Sequence, residues 1–209
     1  MKTKHLRLMQ RVYIILFFCF MYLPIAYMIV FSFNQSKGYS LFTGFTFKWY
    51  RSLFTNASIL HALWVSVEVA ILSAIIATVL GTVAALGIHK MRGRMRSAVM
   101  TLTNIPMTNP EIVTGVSLAL LFAFAGSLLR IKSILGFWTL LIAHITFNIP
   151  YVILSVMPKL KQTNKSTYEA AMDLGASPIY AFFKVVFPDI LPGVLSGFLL
   201  AFTMSLDDF

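Results

Sequence analysis

The sequence predicts an all-α integral membrane protein: a polytopic helical bundle within a single transmembrane domain, residues 1–209. Of the 209 residues, 58% are hydrophobic and only 11% are charged, whereas about a quarter of the residues in a soluble domain are charged. The mean hydropathy is +0.82. The apolar residues form continuous runs without the period-two alternation of membrane β-strands, so helices are the expected spanning elements.

Five apolar segments are long enough to cross a hydrocarbon core of about 30 Å, which takes roughly 20 helical residues. They cover residues 12–33, 59–88, 98–129, 136–157 and 190–209. The first follows a basic start but has no small-residue cleavage site after it. We therefore predict an uncleaved span there and not a signal peptide.

The second, third and fourth spans carry residues that predict their packing. Small residues in the second span predict that another helix approaches it closely; they are Ala77, Gly81, Ala84 and Ala85. Prolines and asparagines interrupt the third span, and such breaks persist in lipid only inside protein or beside water. They are Asn104, Pro106, Asn109 and Pro110. A second polar, bent stretch in the fourth span contains His144, Asn148 and Pro150.

The positive charges predict the orientation. The N-terminus, residues 90–96 and residues 159–184 hold four Lys or Arg each, twelve of the 17 in the chain. By the positive-inside rule these three regions are cytoplasmic. The net charge of +10 does not indicate nucleic acid, since every Lys and Arg lies outside the apolar segments. The aromatic-rich segment 34–58 is then external. We expect a short helix along the outer membrane surface there, with docking of an external partner as the alternative.

Four carboxylates lie within apolar spans: Glu68, Glu111, Asp207 and Asp208. Each costs ~2.5–3.5 kcal/mol or more at mid-bilayer, so such residues are functional candidates by default. No Lys or Arg in any span can neutralise them. We predict that they line a pathway for a cationic substrate. Alternatively they bond to polar side chains on neighbouring helices or remain protonated, and for Glu68 we favour that alternative.

The segment Lys159–Gly193 is a polar interruption that predicts two short helices with a sharp turn between them. Gly175 suits the left-handed position that ends the first helix. Ser177 is an N-cap with Pro178 at the first helical position of the second. Pro188 is expected to end that helix before a third, apolar one begins. Such a rigid element between two spans is suited to docking another protein.

No catalytic or metal-binding constellation is found in the sequence. Cys19 is the only cysteine and lies in an apolar run, which excludes an internal disulfide and a CxxC metal site. The four histidines lack ligand spacing. We therefore expect no enzymatic activity, no metal and no cofactor.

The polar segment resembles the EAA loop of ABC importer permeases. That motif reads E-A-A, three residues, G, nine residues, then I-x-L-P. Here it is Glu169-Ala170-Ala171, Gly175 and Val185–Pro188, with Val185 and Phe187 in place of Ile and Leu. Other stretches are similar to the spermidine/putrescine branch, above all to the second of its two permease subunits. They are Phe31–Asn34, Thr46–Tyr50, Asn109–Phe122, Gly136–Ile153 and Phe202–Phe209.

The resemblance implies a type I, MetI-like permease fold and a multi-pass location in the bacterial inner membrane. It also implies that residues 159–189 form the loop that couples the permease to an ATPase. The residues that would couple the loop to the ATPase are Glu169, Ala170, Ala171, Gly175 and Pro188. The implied partners are a second permease subunit, a cytoplasmic ATPase dimer that hydrolyses the ATP, and an extracytoplasmic polyamine-binding protein, within membrane lipid and without nucleic acid.

Three alternatives remain open at this stage. One is a permease of the same superfamily for ferric iron, sulfate or a phosphonate, although acidic, lysine-free spans disfavour anions. Another is an ion-coupled secondary carrier, which would have no need of an ATPase-docking loop. The third, a membrane-embedded enzyme, has no supporting constellation. Because family members continue past Asp207-Asp208 through another span, we expect the chain to be incomplete at its C-terminus.

Overall fold

The computed structural model describes residues 2–108, 111–131 and 134–207. Within these ranges the regular structure is helical, apart from one isolated antiparallel bridge between Asn34 and Phe45. The α-helices are α1 Lys2–Phe31, α2 Lys48–Thr55, α3 Ala57–Lys90, α4 Gly93–Thr108, α5 Glu111–Leu128, α6 Phe137–Gln162, α7 Lys165–Asp173, α8 Pro178–Ala181 and α9 Phe187–Asp207. The all-α fold class is confirmed.

Four helical stretches in the described part of the chain are long and apolar enough to cross a membrane. They are Met9–Phe31, Ala57–Lys90, Phe137–Gln162 and Pro178–Asp207. The helices α4 and α5 are bent by 101° at the break between them and count as a fifth span if they form one. This break lies where prolines and asparagines interrupt the sequence, although Asn109 and Pro110 are outside the described residues. The protein is therefore a multi-pass membrane protein.

The chain divides into two compact units, Met1–Ala62 and Leu63–Phe209. In the first unit, Asn34 organises the loop between α1 and α2. Its buried side chain donates to the carbonyl oxygens of Gly38 at 3.0 Å and Leu41 at 2.8 Å and accepts from the Thr43 amide at 2.8 Å. Its carbonyl oxygen accepts from the Trp49 indole at 2.8 Å. The loop is thus held by specific bonds, and α2 is the short helix that the aromatic-rich segment predicts.

In the second unit, α6 packs between α3 and α9 through small residues. A Cβ atom on Gly81 of α3 would lie 2.7 Å from Cβ of Val152, and one on Gly197 of α9 would lie 3.2 Å from Cα of Val152. Ala77 and Ala85 are fully buried beside Gly81 on the same face of α3. The predicted close approach at the small residues of α3 is confirmed for these three positions.

The EAA loop has the predicted local turns. Asn164 caps α7, accepting from the Ser166 amide at 3.0 Å, and Gly175 ends that helix at a φ of +89°. Ser177 caps α8, its hydroxyl accepting from the Tyr180 amide at 3.3 Å, with Pro178 at the start of the helix. Glycine adopts positive φ without the steric cost that a Cβ atom brings, so residue 175 is chemically suited to this turn.

The prediction that Pro188 ends the second short helix, and that a separate apolar helix follows, is wrong. Residues 178–207 form one uninterrupted helical run, in which a π-helical turn over Phe182–Val186 joins α8 to α9. The Phe187 amide bonds to the carbonyl of Phe182, five residues back. Proline has no N–H to donate, and it is accommodated here because the hydrogen-bond ladder changes register at this point.

Candidate functional site

A cavity of about 690 Å³ lies within the second unit, between α5, the start of α6 and the end of α9. Its walls are mostly apolar, with Val116 and Phe122 from α5 and Phe147 from α6. Its polar groups are Thr139, His144 and Asp207. An apolar pocket with a few converging polar groups is the usual form of a small-molecule site.

The structure places one of the four predicted pathway carboxylates, Asp207, at this cavity. Glu111 is the first residue of α5 and precedes Ile112, which lines the cavity, but its side chain lies outside the described residues. Asp208 also lies outside them. Glu68 is exposed on α3 and does not line the cavity. Glu68 is also the carboxylate for which the sequence favoured a role other than lining the pathway.

The chemistry of the cavity suits an amphipathic cation. Asp207 supplies a negative charge, and no Lys or Arg occurs in any predicted span to neutralise it. The apolar walls can contact methylene groups, because burying each CH₂ is worth about 0.8 kcal/mol. An aliphatic ammonium ion combines both requirements.

A chain of buried polar side chains lies behind the cavity and links α3, α6 and α9. The Asn148 amide donates to Ser73 Oγ at 3.4 Å, and Ser73 Oγ donates to Ser205 Oγ at 3.0 Å. Ser205 Oγ in turn lies 2.7 Å from Nδ1 of His144, which lines the cavity. All four side chains are at most 7% exposed.

Sequence reasoning singled out two members of this chain and missed the other two. His144 and Asn148 stood out as polar residues in an apolar span, and their spacing of four places them on one helix face. Ser73 and Ser205 gave no comparable signal, since isolated serines in apolar helices usually bond to their own backbone. Their 3.0 Å contact joins positions 132 residues apart.

The EAA loop presents a second candidate surface. Glu169 and Ala170 are exposed on α7, and Pro188 is exposed on α9. Between α7 and α8 lies an open groove of about 570 Å³, lined by Ala171, Leu174, Gly175, Ala176, Ser177 and Tyr180. Of the five EAA positions that the sequence predicts, Ala171 and Gly175 line this groove, and the other three are exposed but are not among its lining residues.

Large apolar side chains are exposed along this loop. Leu174 is 89% exposed, Ile179 72% and Phe183 58%. Contiguous exposed apolar surface on a segment between spans is typical of an interaction site. Its position beside the groove makes the loop the candidate docking element of the protein.

Comparison with known proteins gives the same picture. Residues 77–209 match the family described as binding-protein-dependent transport system inner membrane component. The chain is 37% identical over 200 residues to the spermidine/putrescine transport system permease protein PotC of Haemophilus influenzae, covering 96% of this chain and 76% of that protein. It is 36% identical over 199 residues to the putrescine transport system permease protein PotI of Escherichia coli, covering 94% of this chain and 70% of that protein.

A further relative matches a shorter part of the chain. The PotC homolog of Mycoplasma pneumoniae is 34% identical over 144 residues, which cover 69% of this chain and 50% of that protein. The family match covers the cavity, the whole EAA loop and every member of the buried polar chain except Ser73. The chain belongs to the binding-protein-dependent transport system inner membrane component family of ABC transporter permeases.

Proposed function

We propose that this chain is a permease subunit of an ATP-driven importer of polyamines such as spermidine and putrescine, and that it forms part of their route across the membrane. The observation that carries the substrate class is the carboxylate of Asp207 in a mostly apolar cavity. The names of the relatives, which are spermidine/putrescine and putrescine transport permeases, support it. Sulfate and phosphonate do not fit, because Asp207 would repel an anion.

The cavity explains how such a substrate would be held. One ammonium group pairs with Asp207, and the methylene chain lies against the apolar walls contributed by α5 and α6. Charge-assisted hydrogen bonds are about twice as strong as neutral ones, which makes the carboxylate the anchor. We assign Glu111 and Asp208 as further acidic positions of the pathway. For Glu68, which lies outside the cavity, we favour hydrogen bonding to polar side chains on neighbouring helices.

The EAA loop is the proposed contact with the ATPase. Leu174, Ile179 and Phe183 supply apolar surface to bury in a cleft of the ATPase, and Gly175 sets the turn that presents them. Glu169 and Ala170 are both exposed on α7. In this arrangement the loop senses ATP binding and hydrolysis through its contact with the ATPase.

The helical run of 30 residues from Pro178 to Asp207 connects the two candidate surfaces. At 1.5 Å per residue it is roughly 45 Å long. Its first turn carries the groove residue Tyr180, and its last described residue lines the cavity. Movement of the loop by the ATPases would therefore tilt a helix that ends at Asp207. This is a direct mechanical route for alternating access.

The proposal includes partners and placement. A second permease subunit completes the pathway, a cytoplasmic ATPase dimer engages the EAA loop, and an external binding protein delivers the polyamine. The membrane is the bacterial inner membrane, with the N-terminus cytoplasmic. The family description, which names a binding-protein-dependent system and an inner membrane component, supports the binding protein and the membrane. The distribution of Lys and Arg supports the cytoplasmic N-terminus.

Uptake of radiolabelled spermidine by cells that express the chain with its partner subunits tests the function. We expect uptake to stop when ATP is depleted while the proton gradient is kept, and to be competed by putrescine but not by sulfate. Cells with the partner subunits but without this chain are the control. Uptake that follows the proton gradient and ignores ATP would favour an ion-coupled carrier and contradict the proposal.

A further inference from the structure

His144 and Asp207 line the same cavity, although they lie on different helices, α6 and α9. A histidine side chain can be neutral or carry a positive charge near neutral pH. A protonated His144 would compensate Asp207 and remove the net negative charge that selects a cation. The charge state of His144 therefore bears on which substrates the cavity accepts.

The buried polar chain has a direction. The Asn148 amide nitrogen can only donate, so Ser73 Oγ accepts from it. The Ser73 hydroxyl has one hydrogen and two acceptors within reach, and we assign that hydrogen to the nearer one, Ser205 Oγ at 3.0 Å, over the Ala70 carbonyl oxygen at 3.2 Å. Because Ser205 Oγ already accepts a hydrogen from Ser73, its own hydrogen is free for Nδ1 of His144, 2.7 Å away. The chain thus ends on Nδ1 as an acceptor.

We propose that the chain Asn148–Ser73–Ser205 holds His144 in the neutral form, with its hydrogen on Nε2, so that the cavity keeps the uncompensated charge of Asp207 for an aliphatic ammonium ion. The imidazolium carries hydrogens on both ring nitrogens, and a hydrogen on Nδ1 would face the hydrogen of Ser205. This inference rests on the proposed function. It makes His144 a specificity residue, and Asn148, Ser73 and Ser205 positioning residues.

The surroundings of His144 support this assignment. The ring is 7% exposed, and the hydroxyl that it contacts is 3% exposed, so water does not compete freely for Nδ1. Asn148 and Ser73, one step further back, are 1% and 0% exposed. A buried polar network holds its hydrogen-bond pattern more firmly than an exposed one, because an unpaired polar group costs more in a low-dielectric interior. If the buried polar chain served only to join the three helices, the direction of its hydrogen bonds would not affect its role.

Ring-nitrogen NMR tests the protonation state directly. The assembled transporter in lipid nanodiscs, with ¹⁵N-labelled histidine, gives one set of ring shifts for each histidine, and His144→Gln assigns the set of interest. We expect the pattern of a neutral ring protonated on Nε2. An imidazolium, or a neutral ring protonated on Nδ1, would overturn the proposal. This measurement does not require transport, so it remains decisive even if polyamine uptake is not observed.

Uptake kinetics then separate specificity from simple stabilisation. We expect Ser205→Ala to raise the KM for spermidine by roughly tenfold, because the freed ring can become protonated and weaken the charged hydrogen bond between Asp207 and the ammonium group. Adding His144→Gln should restore the KM, since glutamine cannot take a proton. If the chain only joined helices, the double variant would be at least as impaired as Ser205→Ala, and that result would overturn the proposal.

The matched control is Ser196→Ala. Ser196 lies on the same helix, is exposed, and bonds to the Pro192 carbonyl oxygen of its own helix at 2.8 Å. We expect it to leave both the KM and the ring shifts of His144 unchanged. If the unsubstituted transporter moves no polyamine, the proposed function fails. If it does and Ser205→Ala leaves the KM unchanged, this inference fails alone.

Discussion

Gly193 of α9 lies against the backbone of α6 at Ser155: a Cβ atom on Gly193 would be 2.8 Å from the Ser155 carbonyl oxygen. It would also be 2.9 Å from Cγ of Lys159. Real Cβ atoms do not come this close to a backbone oxygen, so a side chain here forces α9 away from α6. The contact lies where α9 leaves the EAA loop, between the two candidate surfaces.

We therefore expect Gly193→Val to destabilise the transporter by about 1–3 kcal/mol, the cost of overpacking a close helix contact. Thermal unfolding of the purified complex in detergent measures the effect. Gly87→Ala is the control, because a Cβ atom there meets nothing within 4 Å. An equal loss of stability in both variants would contradict the close α6–α9 contact.

Leu174 offers a test of the docking surface. It is 89% exposed, so Leu174→Asn should leave the fold intact and yet reduce co-purification of the ATPase subunits. The control is the same substitution at Leu41, which is 75% exposed in the loop between α1 and α2, on the side of the membrane predicted to be external. Leu41→Asn should retain the ATPase. Full recovery of the ATPase with Leu174→Asn would exclude Leu174 from the interface.

The backbone conformation of Gly175 predicts that its variants lose ATP-driven uptake to different degrees. Its φ of +89° is costly for residues with a Cβ atom, least so for asparagine and most for β-branched residues. Gly175→Asn should therefore retain more ATP-driven uptake than Gly175→Ala, and Gly175→Val should retain the least. A Cβ atom at this position meets nothing within 4 Å, so backbone strain and not a steric clash sets this order. Equal uptake in all three would show that the turn is not required.

The turns of the EAA loop could be predicted because they depend on local sequence. Gly175 and Ser177 determine backbone conformation within a few residues of themselves, and both have the predicted roles. The continuation through Pro188 could not be predicted, because it depends on a π turn that changes the hydrogen-bond register just before the proline.

The candidate site was only partly predictable for a related reason. A carboxylate in an apolar run stands out in a sequence, and Asp207 was identified in this way. Which carboxylate shares a cavity with His144 depends on the rotation and depth of each helix, and those are set by packing between distant segments. The contact of Ser73 with Ser205 depends on the same packing, so neither serine was identified.

Labelling of single cysteines tests the orientation. In a Cys19→Ser background, Ser40→Cys lies in the loop between α1 and α2 and Ser166→Cys lies in the EAA loop, and both positions are exposed. A membrane-impermeant maleimide added to intact spheroplasts should label residue 40 but not residue 166, which should react only after lysis. The reverse pattern would contradict the positive-inside assignment.

The most direct test of the account is the kinetics of spermidine uptake by Asp207→Asn, compared with Glu68→Gln. Replacing the carboxylate that lines the cavity removes the charge that pairs with an ammonium group, so the KM should rise roughly ten- to hundredfold. Glu68 does not line the cavity, so its variant should show a much smaller change. Unchanged KM in Asp207→Asn, with normal assembly and ATP-driven uptake, would contradict the claim that this cavity holds the cationic substrate.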